Sequence, residues 1–168
     1  PHQVCQRGIG RTFQIVRPFH SMSVLDNIRV AALSKRDRKA SNFTPTEVLE
    51  LTGLVDRRNQ LARELTLASR KRLEVARAIA TGPELLLLDE VFAGLNPKEV
   101  DEMIGLVLDM RAKGISTTAG VEHVMKVVMS ISDRVIVVQY GQKIAEGTPK
   151  EIAANDDVIR AYLGVDHA

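Results

Sequence analysis

Apolar and polar positions along this chain repeat at two different periods, and the switches between them mark its elements. Residues 9–14 form a short candidate strand. Ser23 followed by Asp26 three residues on reads as a capping box that opens a helix through about Leu33. Residues 34–43 are polar and break the pattern. Thr44, Pro45 and Glu47 then give an N-cap, a proline at the first helical position and an acid at the third, and Gly53 stops that helix. Between 68 and 80, Leu73, Ala76, Ile79 and Ala80 recur at helical spacing. Residues 85–88 are four leucines bounded by Pro83 and two acids, the pattern of a buried parallel strand. Asn96, Pro97 and Glu99 open a helix whose apolar face is Val100, Met103, Ile104, Val107 and Met110, and Gly114 closes it.

Residues 116–121 follow as a strand, and a Met-rich helix runs from about 123 to 131. Residues 134–139 and 143–146 read as a hairpin turning through Tyr140, Gly141 and Gln142. Thr148, Pro149 and Glu151 cap one last short helix. Alternating strands and helices predict an α/β fold, with the helical stretch 24–63 inserted between two strand-bearing parts.

Composition narrows the picture. At 168 residues, 45% apolar and 26% charged, the chain suits one globular domain with a real core. A formal net charge of +2 gives no ground for expecting nucleic acid. Two basic clusters, at 35–39 and at Arg70, Lys71 and Arg72, read as solvated faces. The single Cys5 excludes an internal disulfide and suits a reducing compartment. His2, His20, His123 and His167 form no metal-spaced pair. No apolar run approaches the roughly 18 residues that span a bilayer, so a membrane connection is expected to run through a partner.

The most informative chemistry is the acidic pair after the leucines. Ligands of parallel sheets gather at the carboxyl ends of strands, where Asp89 and Glu90 fall. Asp89 is placed to hold Mg²⁺ through its water shell, and Glu90 to polarise an attacking water. The plainer alternative is a pair that marks the strand end and caps the next turn.

The surrounding motifs favour the chemical reading. L-L-L-L-D-E followed by A-G-L-N-P, and preceded by R-K-R-L-E-V-A-R-A-I-A-T, resembles the Walker B, D-loop and signature-helix run of ABC ATPases. R-T-F-Q at 11–14, V-E-H-V-M-K-V-V-M at 121–129 and the run from Asp133 through V-I-R-A-Y-L-G make the chain most similar to branched-chain amino-acid import ATPases. The resemblance covers essentially the whole chain. It implies part of a P-loop NTPase (RecA-like) domain, with residues 1–14 leading to the Q-loop, 15–80 a helical subdomain with the signature, and 81–168 running from Walker B to the end.

The resemblance also assigns roles. Gln14 matches the Q-loop glutamine that contacts Mg²⁺ and the attacking water. Glu90 and His123 are the catalytic pair, with His123 touching the γ-phosphate of ATP. Asn96 holds the D-loop position, and it also fits an N-cap. Thr66, Ala68 and Ser69 stand in the signature that binds the ATP of a second ABC ATPase subunit. Transmembrane permease subunits are the other partner, on the cytoplasmic side of the membrane. The cargo, a branched-chain or other hydrophobic amino acid, does not touch the chain, and no nucleic acid is involved.

Three departures stand against the family pattern. Both glycines and the glutamine of the signature are replaced in Leu65, Thr66, Leu67, Ala68, Ser69. Arg70, Lys71 and Arg72 follow at the start of that helix, where cations oppose the helix dipole and a bound anion would relieve them. Ala119 and Gly120 weaken what reads as a central strand. No G-x-x-x-x-G-K-[ST] loop occurs. The family places that loop upstream of Arg11, and with Pro1 in first place the expectation is a truncated chain that is inactive alone. A degenerate, non-hydrolytic subunit that only binds partners is the rival reading.

Overall fold

A computed structural model describes residues 2–34, 43–115 and 117–163. The chain divides into two compact units, 1–122 and 123–168.

The first unit is built on a three-stranded parallel sheet, β1 (Ile9–Arg11), β2 (Leu85–Asp89) and β3 (Thr117–Val121), in the order β1-β2-β3. Ile9 pairs with Leu85, and β3 runs beside β2 from Leu85–Thr117 through Asp89–Val121. The leucine run is therefore a parallel strand, with Leu86 and Leu88 buried and Leu85 and Leu87 half-buried. β1 is shorter than the predicted 9–14. Thr12 still gives its N–H to Leu87, but its hydroxyl then accepts the Asp89 N–H at 3.0 Å in place of a main-chain carbonyl, and the ladder stops. β3 lies at an edge of this sheet, not at its centre. A Cβ at Gly120 would meet Leu88 at ordinary contact distance, so the small residues there cost packing without relieving a clash.

Before β1 lies a five-residue helix, α1 (His2–Gln6), which the pattern did not signal. Between β1 and β2 come α2 (Val24–Ala32), α3 (Pro45–Leu51), 3₁₀ turns at Val55–Arg57 and Ala62–Glu64, and α4 (Leu67–Ala80). Thr44 and Glu47 form the full capping box at α3. Ser23 forms only half of one. It accepts the Asp26 N–H, but the shorter Asp26 carboxylate takes the Ser23 hydroxyl at 2.7 Å instead of reaching the cap's backbone. The predicted faces are buried: Leu73, Ala76, Ile79 and Ala80 in α4, and Val100, Met103, Ile104, Val107 and Met110 in α5 (Pro97–Ala112). The basic cluster at the start of α4 is no solvated face, since Lys71 is 5% exposed. The other cluster, at 35–39, lies outside the described residues.

The second unit holds α6 (Met125–Ile131), an antiparallel hairpin of β4 (Val135–Gln139) and β5 (Gln142–Gly147), then α7 (Pro149–Ala153) and α8 (Asp156–Leu163). α6 begins two residues later than predicted. The hairpin turns on Tyr140 and Gly141 alone, both with positive φ (49° and 78°), the geometry of a two-residue primed turn, so Gln142 joins the strand. Val137, Ile152 and Val158 form its core, with Val135, Ile144 and Ala145 against them. Two helices close the unit where one was expected. Asn155 caps the second by accepting the N–H groups of Asp157 and Val158. Among the described residues, no helix is long and apolar enough to cross a membrane.

Candidate functional site

The carboxyl ends of β1 and β2 bring three of the expected residues together. Gln14, three residues past β1, donates from Nε2 to Glu90 Oε2 at 2.6 Å. Asp89 ends β2, and its carboxylate takes the Arg11 guanidinium at 2.9 Å. Arg11 also lies over the Phe13 ring, 5.6 Å from its centroid.

Glu90 occupies the left-handed region at φ 46°, a conformation that costs a non-glycine residue of order 1–3 kcal/mol unless its surroundings hold it. They do. Its N–H donates to the Val121 carbonyl at 3.1 Å, and its own carbonyl accepts Lys71 Nζ at 3.0 Å. The same ammonium lies 3.4 Å from the Gln14 carbonyl. Burial pushes Lys71 below the usual lysine range, while Glu122, Glu90, Asp89 and Glu74 pull the other way.

The start of α4 forms a second cluster. Thr66 is its N-cap, with the hydroxyl accepting the Ser69 N–H at 3.3 Å and donating to Ser69 Oγ at 3.2 Å. Thr66 is exposed, Ala68 half-buried and Ser69 buried. By helix geometry the amides of Leu67 and Ala68 have no partner within the helix. A Cβ on Gly94 would approach the Leu67 side chain to 3.1 Å, so the stretch before Asn96 packs on this helix start. The three cations find acceptors within the chain: Arg70 the Arg63 carbonyl, though its buried Nε has no partner among the described residues, Lys71 as above, and Arg72 the Thr52 carbonyl and the Glu102 carboxylate at 2.6 Å. The expected conflict with the helix dipole is met by these acceptors.

Asn96 caps α5 in a complete box with Glu99, at 3.0 and 2.9 Å, and the side chain is exposed. His123 opens the second unit, exposed, two residues beyond Val121, the register partner of Asp89.

Several residues that hold the site carried no expectation from the pattern. Thr12 and Asn27 are fully buried. Asn27 ties down the turn before α2 by accepting the Phe19 N–H and donating to the carbonyls of Phe19 and Ser23. Its place between Val24 and Ile28 on the inward face was the available signal. Lys71, Glu74 and Arg77 share a three-residue spacing that also could have been read.

The donor set fits Mg²⁺. No cluster of three or more His, Cys, Asp or Glu stands ready among the described residues, and the donors at the strand ends are the Asp89 carboxylate and the Gln14 amide. Mg²⁺ keeps most of its waters and takes few protein ligands. The guanidinium on Asp89 shows that this carboxylate accepts a cation at that point.

Comparison with known proteins identifies the family. Residues 1–93 match the ABC transporter family, and residues 142–168 match the branched-chain amino acid ATP-binding cassette transporter family. The high-affinity branched-chain amino acid transport ATP-binding protein LivG of Salmonella typhimurium is 42% identical over 96% of this chain and 70% of its own length. BraF of Pseudomonas aeruginosa, of the same description, is 38% identical over 97% and 70%. The crystal structure of the ADP conformation of MJ1267, an ATP-binding cassette of an ABC transporter, superposes with a TM-score of 0.81 at 28% identity, covering 98% of this chain and 72% of that one. The chain belongs to the ABC transporter family of P-loop ATPases, in its branched-chain amino-acid ATP-binding branch.

Proposed function

We propose that, joined to a phosphate-binding segment, this chain hydrolyses ATP to drive import of branched-chain or other hydrophobic amino acids, docked on permease subunits at the cytoplasmic face of a membrane. The 2.6 Å bond between Gln14 and Glu90 carries the reading. It sets the carboxylate beside the glutamine at the end of the central strand, the place where a parallel sheet receives its ligand. Donation from Nε2 leaves the Gln14 amide oxygen as the group that would meet a cation and its water. Asp89 and that oxygen would hold Mg²⁺, which would supply charge that offsets the phosphates. Glu90 takes the proton from a water as the water's oxygen attacks the γ-phosphorus, the bond from that phosphorus to the β–γ bridging oxygen breaks so that ADP leaves, and His123 steadies the γ-phosphate. Residues 66–69 and Asn96 face the nucleotide of a second ATPase subunit, so each of two sites is shared. The names of the LivG and BraF relatives support the cargo class. Residues 15–80 are the helical part that meets the permease.

A cradle for the β- and γ-phosphates must come from outside these 168 residues, which lack the G-x-x-x-x-G-K-[ST] loop. The chain alone therefore does not turn over ATP, and micromolar affinity for Mg-ATP would contradict this. The test is turnover by these residues joined behind a family phosphate-binding segment. Glu90→Gln should lower kcat about 10²–10⁴-fold, the contribution of a general base. Ala68 and Ser69, standing where the family carries glycine and glutamine, favour the second reading of a non-hydrolytic, partner-binding subunit. Turnover unchanged by Glu90→Gln would support it.

A further inference from the structure

Residues 12–20 follow no helix or strand, yet α4 grips their main chain at successive turns. Lys71 Nζ reaches the Gln14 carbonyl at 3.4 Å. The Phe13 N–H lies near the Glu74 carboxyl and favours its charged form. Arg77 donates to the Arg17 carbonyl at 3.1 Å and lies over the Phe19 ring at 5.3 Å. Arg77 also bonds Glu74 at 2.9 Å, and Lys71 extends the linkage to the Glu90 carbonyl.

Lys71 and Glu74 are each 5% exposed. Burial works against both charges, pushing the Lys71 ammonium down and the Glu74 carboxyl up. Well-packed apolar residues at such positions commonly hold a fold as firmly or more so. Stability alone thus gives no reason for charges here. What apolar side chains could not do is hold specific carbonyl and N–H groups of an irregular loop.

We propose that Lys71, Glu74 and Arg77 are positioning residues that make α4 and the loop at 13–19 one moving body, so that a change at residues 66–69 is felt at Gln14 and Glu90. The use of this linkage rests on the reading above, in which residues 66–69 serve a partner's nucleotide while Gln14 and Glu90 serve the chain's own. It would then connect the two shared sites through one helix.

The test is backbone dynamics by NMR on the 168-residue chain without nucleotide, so its result is independent of the turnover assay. Lys71→Met keeps length and suits burial. Order parameters at residues 14–17 should fall from about 0.85 to below about 0.6, with those of α4 and β2 unchanged, and Lys71→Arg should restore them. Thr66→Ala should shift the Gln14 and Glu90 amide resonances in the parent chain and leave them unmoved in the Lys71→Met background. Order parameters that stay high in Lys71→Met, or a loss spread evenly over α4 and β2, overturn the proposal. So does a Thr66→Ala effect confined to the first turn of α4 in both backgrounds. Failed turnover in the joined chain, with these shifts intact, would sink the ATP-site reading and leave the linkage standing.

Discussion

The two helices that flank β2 in sequence begin in opposite ways. α5 opens on Asn96, Pro97 and Glu99, a complete capping box with an acid in the first turn, satisfied within four residues. α4 opens on Thr66 with no acid in its first turn and three cations from Arg70, whose partners lie on other segments. One start is closed by its own sequence. The other is capped by Thr66 but has no acid in its first turn, and its cations depend on the tertiary structure. The start of α5 is complete within its own sequence, while the start of α4 draws on other segments.

The comparison requires the two helices to be anchored alike below their first turns. Leu73→Ala in α4 and Met103→Ala in α5 remove side chains that are 0% and 1% exposed. Each should cost about 2–5 kcal/mol by urea denaturation. A cost confined to one of them would mean that the helices differ throughout and not at their ends. Next in size is the α5 cap. Asn96→Ala should lose about 1 kcal/mol, while Asn96→Asp, an equally good cap, should keep the stability. If Asn96→Asp loses as much as alanine, the residue is held by something other than the capping box.

The smallest effect is on the acid limb of stability. Hydrogen bonds from the Thr44 and Thr148 backbones hold Glu47 and Glu151 below the usual glutamate range. Their contribution is complete above that range and lost as pH falls through the lower folded values. Burial raises Glu74 above it, so protonation favours the folded state and stability from this group grows as pH falls through its raised value. Glu74→Gln should therefore lose stability more steeply between neutral pH and the glutamate range, read from denaturation midpoints. An unchanged slope would mean that Glu74 is not held against its charge.

What the sequence displayed follows the same division. The faces of α4 and α5 were legible because helical periodicity is local. The boxes at Thr44, Asn96 and Thr148 were legible because cap and acid lie three residues apart. Asn155 and the two acids after it carry the same kind of signal for α8. Asp89 and Glu90 stood out as acids at the end of an apolar run. The burial of Lys71 was hidden, since three adjacent cations look like surface until a strand end 19 residues away supplies a carbonyl. The left-handed Glu90 was hidden too, because only glycine advertises positive φ. Thr12 ended β1 early through a side-chain bond to residue 89 that no local pattern encodes.

The most direct test of the account gives α4 what α5 already has. In residues 1–168 joined behind a family phosphate-binding segment and carrying Glu90→Gln, light scattering should show the mass doubling in Mg-ATP. Ala68→Asp places an acid in the first turn, which favours the helix itself while repelling a partner's phosphate. The account predicts an Ala68→Asp protein at least as stable that stays at single mass in Mg-ATP. Doubling that survives Ala68→Asp, or no doubling in either protein, would contradict it.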